Sequence, residues 1–157
     1  MKNAEKSPVA KLPGARLLVV IAPYYRDIAD QLQRGAEAVA VKAGAALDRV
    51  FVPGAFEIPG AIALAARTKV YDGFVALGCV VRGETSHYDY VCGESARGLM
   101  DLTVRRRLAI GYGILTVENL AQAEARADPG GGDKGGEATR AALAMIALKR
   151  RLAETSR

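Results

Sequence analysis

Tryptophan is absent from this chain, histidine occurs once, cysteine twice, and the 157 residues hold only six tyrosines and three phenylalanines. Each scarcity removes a class of function. Two cysteines, Cys79 and Cys92, are too few to staple a small secreted fold. One imidazole and two widely spaced thiols do not make a structural zinc site, so no metal is expected. No stretch approaches the roughly 20 consecutive apolar residues that cross a bilayer. The opening MKNAEKSPVAKLPGAR alternates charge with proline and has no apolar centre, so it does not read as a secretion signal. These absences point to a cytoplasmic domain with no membrane partner.

A formal net charge of +5 raises the question of nucleic acid. Residues 1–16 and 149–157 each carry a net +3, whereas residues 17–148 hold 14 basic and 15 acidic side chains. The excess therefore sits on the two ends. A nucleic-acid binder should show a basic face on its folded elements, interleaved with aromatics. Only Arg105-Arg106-Arg107 offers a patch, and a solvated helix end accounts for it. No nucleic-acid partner is expected.

What is present is an alternation of strand-like and helix-like segments, with half of all residues apolar, enough for one core. Leu17–Ile21 is a short unbroken apolar run, the mark of a strand covered on both faces. From Asp27, Ile28, Leu32, Ala36, Val39 and Ala43 recur at helical spacing, and Gly44 reads as the stop. Val50-Phe51-Val52 reads as strand two. A helix near Pro59 would turn Ile62, Ala65 and Ala66 inward. Gly73–Val81 is strand three, followed by a polar loop from Arg82 to His87 and a helix marked by Val91, Ser95, Leu99 and Leu102. Strand four spans Ala109–Thr116, a short helix runs from Glu118 to Arg126, and the glycine-rich stretch 128–136 precedes a last helix. That helix would carry Ala138, Ala142, Met145, Ile146 and Leu152 inward. Strand and helix alternating four times predict one α/β domain in three layers, α/β/α, with a four-stranded parallel sheet flanked by helices. Residues 1–14 read as an extended N-terminal segment and 15–157 as the domain. So narrow a sheet leaves edges that need cover, which favours association of subunits.

In sheets of this kind ligands bind beyond the carboxyl ends of the strands. Those ends are Pro23-Tyr24-Tyr25, Pro53–Pro59, Arg82–His87 and Thr116–Asn119. His87 is the one side chain that titrates near neutrality, and a loop beyond a strand end is where such a group does chemistry. Glu84 and Asp89 are placed to orient it, although Asp89 also suits the first turn of a helix. Arg82, Gly83 and Thr85 suit an anion, and Arg126 and Lys134 would add charge. Tyr24, Tyr25, Phe56 and Tyr112 could sandwich a planar heterocycle, with core filling the better reading of Phe56. Glu57 reads as a carboxylate in an apolar turn, costly unless it is hydrogen-bonded. Neither Gly130–Gly136 nor Gly111-Tyr112-Gly113 has the spacing of a nucleotide-binding loop, so no nucleotide cofactor is expected.

Four separated motifs carry a resemblance. Pro53-Gly54-Ala55-Phe56-Glu57-Ile58-Pro59, then Leu77 through Val91 (LGCVVRGETSHYDYV), then Gly113–Asn119 (GILTVEN) with Gln122-Ala123, and Asp133-Lys134-Gly135, closely resemble the 6,7-dimethyl-8-ribityllumazine synthase family, in order, over about residues 15 to 150. The resemblance implies a flavodoxin-like fold. It also implies condensation of 5-amino-6-(D-ribitylamino)uracil with 3,4-dihydroxy-2-butanone 4-phosphate, releasing phosphate and water, the penultimate step of riboflavin biosynthesis. No metal or organic cofactor is implied. Carried over by position, His87 is the proton-transfer residue, and Glu84, Thr85 and Arg126 hold the butanone phosphate. Tyr24 stacks on the uracil, and Ala55, Phe56 and Glu57 hold the ribityl chain and pyrimidine. Cys79, Val80 and Val81 line the ring through their backbone, Tyr112 reaches in from an adjacent subunit, and Lys134 is a pocket lysine. The implied partners are a homopentamer of this chain, a higher assembly of pentamers, and riboflavin synthase, with residues near 5–14 pairing on a neighbour's sheet edge. Two features depart from the family. Pro23-Tyr24-Tyr25 stands where it often has Arg-Phe-Asn or Arg-Phe/Trp, and the 128–132 loop lacks the Gly-Thr-Lys-x-Gly-Asn run of capsid-forming members. Two alternatives stay open: a non-catalytic paralogue that binds lumazine or flavin, and a thiol hydrolase using Cys79 with His87.

Overall fold

Unbroken apolar runs need cover on both faces, and two of them form the centre of the sheet. The computed structural model describes residues 5–155. Residues 1–4 and 156–157, with part of the expected N-terminal segment and the charges of Lys2 and Arg157, lie outside the described residues. The strands are β1 (Arg16–Ile21), β2 (Ala46–Phe51), β3 (Gly73–Val81) and β4 (Ile110–Val117). The helices are α1 (Arg26–Ala43), α2 (Ile58–Ala66), α3 (His87–Arg105), α4 (Leu120–Ala127) and α5 (Lys134–Thr155), with a single 3-10 turn at Ala55–Glu57. The strands pair in parallel in the order β2-β1-β3-β4. This is the three-layer architecture that the alternation predicts and the flavodoxin-like fold that the resemblance implies.

One face of the sheet, with Leu17, Val19 and Ile21 of β1 and Val75 and Leu77 of β3, packs against α1, α4 and α5. The other, with Leu18 and Val20 of β1 and Phe74 and Ala76 of β3, packs against α2 and α3. Leu32 and Leu143, fully buried between α1 and α5, each contribute about 1.5–3 kcal/mol by leaving water. The helix stops obey local rules: Gly44 ends α1 at φ +74°, and Asn119 caps α4 by accepting the Gln122 amide at 2.9 Å.

Several boundaries differ from expectation. Strand β2 begins at Ala46, not Val50, because it pairs with the whole of β1 from Arg16↔Ala46 to Ile21↔Phe51. As an edge strand it is exposed along most of its length, so polar Asp48 and Arg49 hide it in the sequence. Strand β4 runs one residue later than predicted, and α4 starts after Asn119 rather than at Glu118. Helix α3 begins at His87, which therefore opens a helix instead of closing a loop. Lys134 and the glycines after it form the first turn of α5, not the loop. Met145 and Leu152, expected inward, are exposed because α5 presents that side to solvent. The Arg105–Arg107 run does lie at the end of α3, where Arg106 is the cap residue.

Described residues before β1 are held by their own chain. Val9, Ala10 and Leu12 lie against the α1/α5 side of the core, and the Leu12 amide donates to the Ala43 carbonyl at 2.9 Å. The seat of α5 depends on glycine. A Cβ on Gly111 of β4 would collide with the Ala138 carbonyl, and one on Gly135 with the Leu32 carbonyl. Gly111→Ala should therefore destabilise the fold by about 1–3 kcal/mol through overpacking. Thermal or denaturant unfolding of the variant checks this, and an unchanged midpoint would mean that α5 is not tightly seated.

Candidate active site

The chain leaves β1 toward α1 on one face of the sheet and leaves β3 toward α3 on the other, opening a crevice between the carboxyl ends of β1 and β3. A cavity of about 540 Å³ lies there. Tyr24 and Tyr25 come from the β1–α1 junction, Ala55, Phe56 and Glu57 from the 3-10 turn after β2, Cys79, Val80 and Val81 from the end of β3, and His87 from the first turn of α3. Eight of the expected site residues thus meet: Tyr24, Ala55, Phe56, Glu57, Cys79, Val80, Val81 and His87.

Two of these need correction in character. Phe56 is 57 % exposed, so it is an open wall of the cavity and not a core filler. Glu57 is also exposed, because the turn faces outward, and it carries no burial cost. Tyr24, 77 % exposed, stands edge-on to Tyr25 with ring centroids 4.9 Å apart, so an aromatic surface is already presented to a flat ligand.

Tyr112, Arg126 and Lys134 lie elsewhere. They line a second cavity of about 520 Å³ along the free edge of β4, together with Thr116 and Glu137. Tyr112 is the third residue of β4 and pairs with Ala76, well below the carboxyl edge of the sheet. Partial burial of this half-exposed ring, with the Cys92 thiol and Tyr88 phenol nearby, raises its phenol above the ordinary value, so it remains a neutral donor at pH 7. The Lys134 ammonium donates to Glu137 at 2.7 Å, and the Arg126 guanidinium to the Gln122 carbonyl at 3.2 Å. Arg126 has no carboxylate partner among the described residues and suits an anion, while Lys134 beside it is shared with the exposed Glu137.

Glu84 and Thr85 are exposed in the β3–α3 loop and line neither cavity. The Thr85 hydroxyl accepts the His87 amide at 3.4 Å, a contact that shapes the start of α3. Asp89 does not orient His87; its carboxylate accepts from Arg82 at 3.4 Å. Arg82, an anion candidate by sequence, is also held by Glu118 at 2.8 Å and lies 4.3 Å from the Tyr88 ring centroid, so its charge is already engaged. Sequence reasoning missed Tyr90 in the first cavity and Glu137 in the second. Helical spacing from His87 would have found Tyr90 had the helix start been legible.

A family model described as 6,7-dimethyl-8-ribityllumazine synthase matches residues 14–150. The chain belongs to the 6,7-dimethyl-8-ribityllumazine synthase family. Among named members, the lumazine synthase of Methylobacterium radiotolerans is 57 % identical over 148 residues, covering 94 % of this chain and 90 % of its own. "6,7-Dimethyl-8-ribityllumazine synthase 1" of Rhodopseudomonas palustris is 52 % identical, covering 98 % and 99 %. The lumazine synthase of Bartonella tribocorum is 52 % identical, covering 98 % of each. The matches span nine-tenths or more of each of these relatives.

The thiol reading of the site fails on electrostatics. Cys79 is buried with its side chain among core residues on the α1 side of the sheet. That burial, with the Cys92 thiol a lesser cause, pushes it up to about 11. A nucleophile must be a thiolate, so its reactivity is lost below that value and returns only as pH rises toward it. At pH 7.5 Cys79 is therefore overwhelmingly in the unreactive thiol form. Iodoacetamide at pH 7.5 should leave Cys79 unmodified by peptide mass spectrometry, and rapid stoichiometric alkylation there would restore the thiol reading.

Proposed function

We propose that this chain condenses 5-amino-6-(D-ribitylamino)uracil with 3,4-dihydroxy-2-butanone 4-phosphate to 6,7-dimethyl-8-ribityllumazine, with release of phosphate and water, and that its active site is assembled from two copies. The observation that carries the reading is the division of one set of site residues between two cavities. The first cavity holds the aromatic, backbone-lined, His87-bearing half, and the second the cationic half with Tyr112. A neighbour's β4 edge docked over the first cavity would complete it. In this reading residues 15–157 are the catalytic domain, 1–14 are an extended N-terminal segment, and the ring closes as a homopentamer. Exposed apolar side chains on α3 support association: Tyr90, Met100 and Val104 are all more than half exposed. Higher assembly of pentamers, riboflavin synthase as a partner and a cytoplasmic location belong to the same reading. Among the described residues no helix is long and apolar enough to cross a membrane.

The chemistry follows from the groups. Joining an amine to a carbonyl and expelling water requires protons to be delivered and removed near neutrality, which His87 at the cavity mouth can do. Tyr24 and Phe56 stack the pyrimidine, the amides and carbonyls of Cys79–Val81 read its polar edge, and Glu57 accepts from the ribityl hydroxyls. Arg126 and Lys134 hold the phosphate and stabilise it as it leaves, with Glu84 and Thr85 adding polar contacts from the loop. Most of the acceleration comes from holding two reactants together.

Appearance of the fluorescent lumazine from the two substrates tests the reading, and binding of lumazine without turnover would replace it with the non-catalytic paralogue. His87→Ala should lower kcat by about 10²–10⁴-fold without abolishing it, since one positioned acid/base contributes that much. Unchanged kcat between pH 6 and 8 would remove His87 from the chemistry. Arg126→Ala should raise KM for the phosphate substrate by about 10- to 100-fold, the equivalent of one lost charge-assisted hydrogen bond, and leave KM for the uracil nearly unchanged. Equal effects on both substrates would take Arg126 out of the phosphate site.

A further inference from the structure

The most deeply buried charges in the described residues lie outside both cavities. Asp133 is 5 % exposed and Arg140 8 %, and the Arg140 guanidinium donates to the Asp133 carboxylate at 3.4 Å while its Nε, also buried, has no hydrogen-bond partner among the described residues. Removing two charges from water in this way is costly, and an apolar pair of similar size would often be as stable. The pair therefore calls for a reason other than stability.

Its contacts supply one. The Asp133 backbone adopts φ +49°, and its amide donates to the Asp128 carbonyl at 2.9 Å, at the cap of α4. The Asp133 carboxylate accepts the Gly136 amide at 3.3 Å, in the first turn of α5. Gly35 and Gly136 have no Cβ, and a Cβ on either would strike that carboxylate. Just before it, the Gly132 amide donates to the Ala125 carbonyl at 3.0 Å, and Gly132 passes so close to Arg126 that a Cβ there would crowd the Arg126 backbone. A third tie comes from the N-terminal segment, where the Lys6 ammonium reaches the same carboxylate at 3.3 Å. One residue thus joins the end of α4, which bears Arg126, through its backbone amide, to the start of α5, which bears Lys134, through its carboxylate.

We propose that the Asp133–Arg140 pair is a positioning device for the anion-binding half of the site, fixing the spacing between Arg126 and Lys134 so that both cations meet one phosphate. This rests on the reading of the second cavity as the phosphate half. Neither Asp133 nor Arg140 touches substrate. They hold a backbone junction in one geometry, and the charge on Asp133 keeps Arg140 from being a buried, unpaired cation. Lys134 follows Asp133 directly in the chain, so whatever holds the Asp133 backbone also sets the Cα of Lys134.

The test uses the assembled full-length protein and reads both KM values, kcat, and inhibition by inorganic phosphate. Asp133→Asn keeps an acceptor for the Gly136 amide but removes the charge opposite Arg140. Asp133→Asn with Arg140→Met removes both charges and leaves no buried ion unpaired, so it should melt nearer the wild type than the single variant does. Both variants should raise KM for the butanone phosphate, and the inhibition constant of inorganic phosphate, by about 10- to 100-fold, as expected for misplaced binding groups. KM for the uracil and kcat at saturation should stay within about twofold of wild type. A double variant that regains wild-type stability and wild-type KM for the phosphate substrate would overturn the proposal and assign the pair to folding alone. Failure of both variants to fold would overturn it in the same way. If the unsubstituted protein forms no lumazine, the functional reading falls instead, and phosphate binding to the three proteins measured by calorimetry still decides the positioning role.

Discussion

Everything at the site follows from the way the sheet is wound. Because β1 and β3 are adjacent yet lead to helices on opposite faces, the backbone parts between their carboxyl ends and leaves a crevice that no side chain of the fold has to fill. The turn after β2 and the first turn of α3 then wall it, bringing Phe56 and His87 to the same opening from positions 31 residues apart. The same winding leaves β4 as an edge, and an edge strand with apolar neighbours invites a partner. Crevice and edge lie at different places on one molecule, and a single chain cannot close the first with the second.

The central strands were legible in the sequence because nothing else produces runs such as Leu17–Ile21 and Gly73–Val81, whose side chains are buried on both faces. Strand β2 was half hidden, since an edge strand is free to carry Asp48 and Arg49. The starts of α3 and α5 were illegible for a different reason. Ser86 sits before α3 without a side-chain capping bond, and α5 begins among glycines, where the turn is fixed by Asp133 and not by propensity. Reading Phe56 and Glu57 as inward residues failed because period and hydrophobicity do not say which way a turn faces.

Residue types at the site were visible early, as an imidazole, aromatics and cations near strand ends. Their grouping was not. Spacing along the chain places Arg126 and Lys134 after strand four and says nothing of the fact that strand four is an edge, so the division into two cavities needs the strand order. The engagement of Arg82 by Glu118 and Asp89 was equally hidden, since it joins the ends of two strands with a helix turn.

The central claim is that one active site takes His87 from one copy and Arg126 from the next. Mixing His87→Ala with Arg126→Ala, both of low activity when the butanone phosphate is held well below its wild-type KM, tests it after dissociation and reassembly. Random mixing of equal amounts places an intact His87 half against an intact Arg126 half at about one interface in four. Recovery of about a quarter of wild-type activity in the mixture is the result this account predicts. A mixture no more active than the mean of the two variants would contradict it and return both residues to a site within one chain.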